Sequence, residues 1–327
     1  MATGAHDVRA HVLQIAAVYD KEFLNQVEAE YGLIRSQPKD PLASVTASAR
    51  QHIQVLLTNG SMDGTTELMR ALPNLGLICC LGSGYEKIDI GVARERGIQV
   101  THSPGANASS VADMAVTMLL ASVRQLRALH AFVAEGRWQG HAGRPVAVRG
   151  MTGLKVGIVG LGDIGLRIAR RIEAFETEVA YHNRRPRSDV SYRYEPTLLG
   201  LANWADALFI AARADATNRK MIDAEVLAAL GREGHIVNIS RGSIIDEPAL
   251  IAALQTGGIA GAGLDVFAEE PHVPEVLRKL PNVVLSPHRA PGTVQAVVAM
   301  HRMVWANLDA FFRSGSVINS VPELAAR

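Results

Sequence analysis

The sequence predicts an α/β protein of two doubly wound, parallel-sheet domains. Three observations predict it. Apolar runs of strand length alternate with helical stretches from end to end, the pattern of parallel strands joined by crossover helices. The chain has 327 residues, more than one ordinary hydrophobic core organises. And Gly160-Leu161-Gly162-Asp163-Ile164-Gly165 follows the apolar run Val156-Gly157-Ile158-Val159 and opens into Leu166-Arg167-Ile168-Ala169, which reads as strand, glycine turn and helix.

Taken in order, strands are expected in the first third at 12–18, 53–57, 77–80 and 98–101, with helices at 21–29, 64–71 and 90–96 between them. Residues 108–129 predict one long helix, apolar on more than one face, which calls for wide burial at a domain or subunit interface. Residues 136–150 carry five Gly or Pro residues and Trp138, and read as an arm. The second α/β unit starts at Lys155, with strands expected at 156–159, 178–181, 207–210, 235–238, 261–264 and 283–285. A final helix is expected at 293–312.

Composition excludes several classes. Hydrophobic residues make up 48% and charged residues 20%, with a net charge of +1, so there is no electrostatic case for nucleic acid or a membrane surface. No apolar run reaches transmembrane length, and the N-terminus lacks the form of a signal peptide. The only cysteines, Cys79 and Cys80, are neighbours on a predicted strand and point to opposite faces, a poor disulfide geometry. They read as small core residues of a cytoplasmic protein. No metal-ligand constellation is visible.

The glycine segment predicts a dinucleotide site. Gly160 permits the tight turn, Gly162 lets backbone approach a pyrophosphate, and Gly165 lets the helix pack on the strand. The helix N-terminus, at Asp163 and Ile164, receives the negative charge. About 20 residues on, an acidic residue holds the ribose 2′-OH when NAD is bound. Here Glu178-Val179-Ala180-Tyr181 runs instead into His182-Asn183-Arg184-Arg185. A neutral Asn and two guanidinium groups suit a 2′-phosphate, so the cofactor expected is NADP(H).

Three downstream segments each follow a predicted strand: Asn238-Ile239-Ser240-Arg241-Gly242, Gly263-Leu264-Asp265-Val266-Phe267-Ala268-Glu269-Glu270-Pro271 and Ser286-Pro287-His288-Arg289-Ala290-Pro291-Gly292-Thr293. Open α/β sheets gather ligands on that edge. An Arg, an acid and a His would converge there. The trio suits hydride chemistry on a 2-oxo acid. His supplies a proton to the carbonyl oxygen, a carboxylate orients the His and favours its charged form, and Arg binds the substrate carboxylate. Either Glu269 or Glu270 could partner His288. Singly, each residue also reads as an ordinary loop residue; together they make the catalytic reading.

On these segments, and on Leu81-Gly82-Ser83-Gly84-Tyr85-Glu86-Lys87-Ile88-Asp89 in the first third, the chain resembles the D-isomer-specific 2-hydroxyacid dehydrogenases over nearly its whole length. Within them it is most similar to the NADPH-dependent glyoxylate/hydroxypyruvate reductases and their hydroxyphenylpyruvate branch. The resemblance implies Arg241, Glu270 and His288 as the catalytic trio, with Glu270 chosen because the acid directly precedes the Pro. It implies Asp265 on the nicotinamide carboxamide, with Ile239 and Ser240 also at the cofactor. It implies Ser83 and Gly84 backbone N–H groups on the substrate carboxylate, with Asn59 on the same edge. It implies a flavodoxin-like substrate domain of residues 1–101 plus 291–327, an inserted Rossmann NADP-binding domain of 102–290, and a homodimer joined through the 108–129 helix and the Trp138 arm.

The chain departs from that pattern at Arg213, within Ala212-Arg213-Ala214-Asp215-Ala216-Thr217, and at Arg289, where relatives carry a small or apolar residue. Asn59, Tyr85, Trp138, Arg289 and Arg302 are candidates for shaping the substrate side-chain pocket. His141, His182 and His301 read as surface or packing residues. Two other readings stand beside a reductase of small oxo acids: a reductase preferring bulkier aryl-pyruvates, and a non-catalytic nucleotide-sensing protein of the same fold. Formate dehydrogenase and phosphoglycerate dehydrogenase fit less well. The first pairs a Gln with its His, and the second keeps the acidic selector and a regulatory domain.

Overall fold

A computed structural model describes residues 11–16, 18, 20–36, 40–43, 45–60, 62–140 and 147–325. The chain divides into two compact units, Met1–Asn107 with Val294–Arg327, and Ala108–Thr293.

The first unit begins β1 (Val12–Gln14), α1 (Lys21–Tyr31), β2 (Leu33–Arg35), α2 (Ala47–Arg50), β3 (Val55–Thr58), α3 (Thr65–Ala71), β4 (Leu77–Cys80), α4 (Ile90–Glu95) and β5 (Gln99–Thr101). The second runs α5 (Ala108–Val123), α6 (Leu126–Ala134), β6 (Lys155–Val159), α7 (Asp163–Ile172), β7 (Glu178–His182), β8 (Arg193–Tyr194), α8 (Leu198–Trp204), β9 (Ala207–Ile210), α9 (Ala224–Leu230), β10 (His235–Asn238), α10 (Glu247–Thr256), β11 (Gly261–Leu264), α11 (Glu275–Lys279) and β12 (Val283–Leu285). Helix α12 (Val294–Ser314) then returns to the first unit and packs against β4.

Each unit is organised around one all-parallel sheet. In the first the strand order is β2-β1-β3-β4-β5, the flavodoxin-like arrangement. In the second it is β12-β11-β10-β9-β6-β7-β8, the doubly wound dinucleotide-binding order extended by β12. Parallel strands covered on both faces carry continuous apolar runs. Accordingly β3, β4, β9 and β11 are buried at every position. Two apolar clusters lie around each sheet, those of the second unit holding Phe209 and Leu208 from the same strand in opposite clusters.

The structure differs from the sequence expectation in four places. Strand β1 ends at Gln14 rather than 18. Strands β2 and β8, of three and two residues, form sheet edges that no apolar run announced. The expected 108–129 helix is two helices, broken at Gln125, whose backbone is left-handed at φ 48°. And α5 finds partners for its several apolar faces inside its own unit, on α7, β10 and β11, with Ala112, Ala115 and Leu119 fully buried. Cys79 and Cys80 are buried free thiols, both pushed up by desolvation, Cys79 to about 12. Among the described residues no helix is long and apolar enough to cross a membrane.

Candidate active site

Because every strand of the second sheet runs the same way, the loops leaving β6, β7, β9, β10, β11 and β12 share one edge. The strand order reverses between β6 and β9, the position at which open α/β sheets take their ligands. The glycine loop lies there. Gly160 has φ +94°, and a Cβ on it would stand 2.4 Å from the Ala212 nitrogen. A Cβ on Gly165 would stand 2.2 Å from the Gly160 carbonyl oxygen, so α7 packs directly on the turn. Gly162 is different: a Cβ there meets nothing within 4 Å. Its bareness answers no need of the protein's own packing and fits a pyrophosphate at the α7 N-terminus. Asp163 and Ile164 form the first turn of α7, the former paired with Arg167 at 3.1 Å and the latter packed on the core.

The exit of β7 is tied to this loop. Asn183 Oδ1 accepts the Leu161 N–H at 2.7 Å, and Arg187 donates from Nη1 to the Leu161 carbonyl at 2.7 Å while its fork grips Asp189. Asn183 therefore holds the glycine loop. Arg184 is 88% exposed and only loosely faces Asp215, 3.8 Å away. Arg185 is exposed. The Arg213 carbonyl accepts from Asn218, whose Oδ1 in turn receives the Asp215 N–H.

The structure brings Glu270 and His288 together. Glu270 Oε2 lies 2.7 Å from His288 Nδ1, and Oε1 accepts the Phe267 N–H at 3.1 Å. Glu269 is exposed and stands outside this contact. Burial pushes the Glu270 carboxyl up, but the hydrogen bond and charge of His288, the Phe267 N–H and the charge of Arg241 outweigh it, so the group is held below its ordinary value. The contact engages Nδ1 of His288.

Arg241 leaves β10 in a loop tightened by Asn238, which accepts the Ser240 N–H at 3.0 Å and donates to the Arg241 carbonyl at 3.0 Å. Arg241 Nη1 donates to the Ser240 carbonyl, and Ser240 Oγ donates to Ala212 O beside the glycine loop. Ile239 is buried. Gly242, which the sequence reading left without a role, brings the Arg241 loop onto the loop of Glu270: a Cβ there would overlap the Phe267 carbonyl carbon at 1.9 Å.

Asp265, 1% exposed, receives the Arg289 N–H on Oδ1 at 2.8 Å and the Ala290 N–H on Oδ2 at 2.9 Å. Its contacts are with the loop that carries His288. In the first unit, Ser83 Oγ lies 3.1 Å from both the Ser103 carbonyl and Asn107 Oδ1, and the Ser83 carbonyl lies 3.0 Å from His102 Nδ1. Asn59 is exposed just past β3, and Gly84 is partly exposed past β4. Tyr85, expected near substrate, is instead 3% exposed in the core, its hydroxyl donating to Glu323. His182 faces the Glu195 carbonyl and His301 pairs with Asp20 while stacking on Phe23, both packing roles. His141 lies outside the described residues. Among the described residues no group of three metal-binding side chains occurs.

A glycine turn at the switch point of a parallel sheet, with an acid-held imidazole on the same edge, is the arrangement of a dinucleotide-dependent oxidoreductase. The chain belongs to the D-isomer specific 2-hydroxyacid dehydrogenases, whose NAD binding domain its residues 116–290 match. It is 38% identical to a glyoxylate/hydroxypyruvate reductase of Arabidopsis thaliana, over 91% of this chain and 94% of that protein. It is 41% identical to a 2-ketogluconate reductase of Gluconobacter oxydans, over 82% and 86%. Among solved structures, the NADPH-dependent glyoxylate/hydroxypyruvate reductase of Sinorhizobium meliloti, in complex with NADP and malonate, superposes with a TM-score of 0.90 at 39% identity and 98% coverage of both chains.

Proposed function

We propose that the protein reduces small 2-oxo acids, glyoxylate and hydroxypyruvate among them, to D-2-hydroxy acids with NADPH. The observation that carries this reading is the Glu270–His288 pair, 2.7 Å apart on the edge that bears the glycine loop. The similarity to glyoxylate/hydroxypyruvate reductases from two organisms supports it.

When bound, the reduced nicotinamide supplies a hydride to the carbonyl carbon. This chain's residues do the rest. Arg241 binds the substrate carboxylate and polarises the neighbouring carbonyl. His288 gives the proton on its second ring nitrogen to the carbonyl oxygen as the C=O pair moves there. Glu270 orients the ring through its contact with Nδ1. Asp265 fixes the His288 loop. The first unit is the substrate-binding domain, with Ser83, Gly84 and Asn59 among its substrate-binding residues, and the second is the NADP-binding domain. Ile239, Ser240, Asp163 and Ile164 line the cofactor's path. Arg184 and Arg185 take the 2′-phosphate, a task for which their exposure past β7 suits them.

The working form in this reading is a cytoplasmic homodimer, the compartment suiting the two free thiols. No residue of α6 is buried, and Leu126, Val133 and Trp138 are 58%, 54% and 56% exposed, an apolar surface of the kind subunits cover. The test is loss of NADPH absorbance with glyoxylate and hydroxypyruvate, run beside NADH. Turnover with a strong NADPH preference is expected. Tight NADPH binding without turnover of any 2-oxo acid would overturn the reading in favour of nucleotide sensing.

A further inference from the structure

Resting on that reading, we propose that Arg187 is a positioning residue of the cofactor site. It holds the glycine loop in the form that receives pyrophosphate, serves NADPH and NADH alike, and takes no part in the choice between them.

Leu161 lies between Gly160 and Gly162, its side chain buried in the same apolar cluster as Ile158 and Ile168. Its backbone is held from the exit of β7 at both polar groups. The Leu161 N–H donates to Asn183 Oδ1, and the Leu161 carbonyl accepts from Arg187 Nη1, each at 2.7 Å. Beside them the Gly160 N–H donates to the His182 carbonyl at 2.9 Å. Arg187 is itself fixed. Its backbone N–H donates to the hydroxyl of the buried Tyr181 at 2.8 Å. Its Nε and Nη2 donate to the two carboxylate oxygens of Asp189, at 2.9 and 2.5 Å. The Tyr194 hydroxyl donates to the Asn183 carbonyl at 3.2 Å and steadies the other arm of the grip.

Peptide planarity turns this grip into loop geometry. The Leu161 carbonyl and the Gly162 N–H belong to one trans peptide unit and point to opposite sides of the chain. A guanidinium that draws the carbonyl toward β7 therefore aims the Gly162 N–H the other way. Among the described residues that N–H meets no acceptor, and a Cβ on the same glycine would meet nothing within 4 Å. An aimed donor beside open space at the start of α7 is what a pyrophosphate oxygen requires. The 2′-phosphate is another matter. The fork of Arg187 is spent on Asp189, whose carboxylate would repel a phosphate seated there. Arg184, by contrast, is 88% exposed and 3.8 Å from Asp215, and Arg185 is exposed. Selection falls to those two arginines, and loop position to Arg187.

The experiment titrates NADPH, NADH and adenosine 2′-monophosphate, which carries the 2′-phosphate without the pyrophosphate, into the wild-type protein, Arg187→Met and Arg187→Lys. Arg187→Met should weaken NADPH and NADH by the same factor, roughly threefold to tenfold for one lost hydrogen bond, and leave adenosine 2′-monophosphate nearly unaffected. Arg187→Lys keeps a charged donor and should recover part of the loss for both nucleotides. A merely structural part would lower the melting temperature and leave the nucleotide affinities of the folded protein unchanged. Asp189→Asn tests the same point without touching the arginine: loosening the fork should weaken both nucleotides equally. A loss selective for NADPH, a loss of adenosine 2′-monophosphate, unchanged affinity for both nucleotides in Arg187→Met, or a selective tightening of NADPH in Asp189→Asn would each overturn the assignment. Any of these, in a protein whose wild type reduces 2-oxo acids with NADPH, leaves the reductase reading standing, whereas a wild type that binds neither nucleotide removes both.

Discussion

Two glycines two positions apart should respond to the same substitution in opposite ways. Gly160→Ala puts a methyl group 2.4 Å from the Ala212 nitrogen on a residue held at φ +94°. A left-handed backbone costs a residue with a side chain about 1–2 kcal/mol, and overpacking against backbone adds about 1–3 kcal/mol. At about 2–4 °C per kcal/mol for a domain of this size, the melting temperature should fall by roughly 4–20 °C. Gly162→Ala meets no atom within 4 Å, and its φ of −84° suits any residue. The small gain from a stiffer unfolded chain and the small loss from a poorer helix cap offset each other, so the melting temperature should hold within about 2 °C. That methyl group occupies the pyrophosphate's approach, and losing charge-assisted hydrogen bonds of about 1.5–3 kcal/mol should weaken NADPH by roughly tenfold to a hundredfold. The assays are thermal unfolding without cofactor and fluorescence titration with NADPH. If Gly162→Ala binds NADPH like the wild type, or melts as early as Gly160→Ala, the division of labour argued here is wrong.

Arg184→Ala combined with Arg185→Ala should weaken NADPH by roughly tenfold or more while leaving NADH nearly unaffected; equal losses for both nucleotides would remove these residues from the 2′-phosphate. Glu270→Gln keeps a hydrogen-bonding group beside His288 but deletes the charge. Opposite charges about 4 Å apart are worth about 1 kcal/mol in water and about 4 at a protein surface; with both side chains about a third exposed, the low end applies. Turnover should fall about fivefold, and an unchanged kcat would deny Glu270 its part. His235 tests the fold through pH. Its ring, 2.9 Å from Ser122 Oγ, is pushed down to about 4 by burial and by the charge of Arg149. The folded chain therefore holds it neutral, while the unfolded chain, at the ordinary 6.5, binds the extra proton. Its contribution is complete above pH 6.5 and lost as pH falls toward 4, about 2 kcal/mol between pH 7 and 5. Urea unfolding at the two pH values should show that difference shrinking in His235→Gln, and parallel losses in both proteins would sink the assignment.

The ligand-bearing edge was legible because each of its segments follows an uninterrupted apolar run: Val156–Val159 before the glycines, Ile236-Val237 before Arg241, Val283-Val284-Leu285 before His288. Strands buried on both faces write themselves that way. The three-residue edge strand β12 still carries such a run, whereas the edge strands β2 and β8 include an arginine in two or three residues and were silent. The break at Gln125 was also silent, since no Gly or Pro marks it. Asn183 was read as a ribose-side selector from its distance past the glycines. That it also receives the Leu161 N–H, and that Arg187 seals the same loop from 26 residues away, are contacts no local pattern encodes. Gly242 did leave a signal, a glycine directly after the candidate Arg, but a close approach needs its second partner, Phe267, before it can be recognised.

One strand governs the proposed proton donor, His288. His288 sits at φ 54°, a conformation that costs a residue with a side chain about 1–2 kcal/mol and persists only where its surroundings impose it. Asp265 imposes it. Standing at the exit of β11, it commits its carbonyl and both carboxylate oxygens to three successive N–H groups of the His288 loop. An amide side chain has one acceptor oxygen and could not make the same pair of carboxylate contacts. Glu270 leaves the same strand five residues later and reaches back to His288 from the other side. Both the acid and the backbone restraint on the imidazole therefore descend from β11, a strand buried at every position between β10 and β12. Both side chains sit on loops anchored to that buried strand, and in the proposed reading this anchoring preorganises the proton donor.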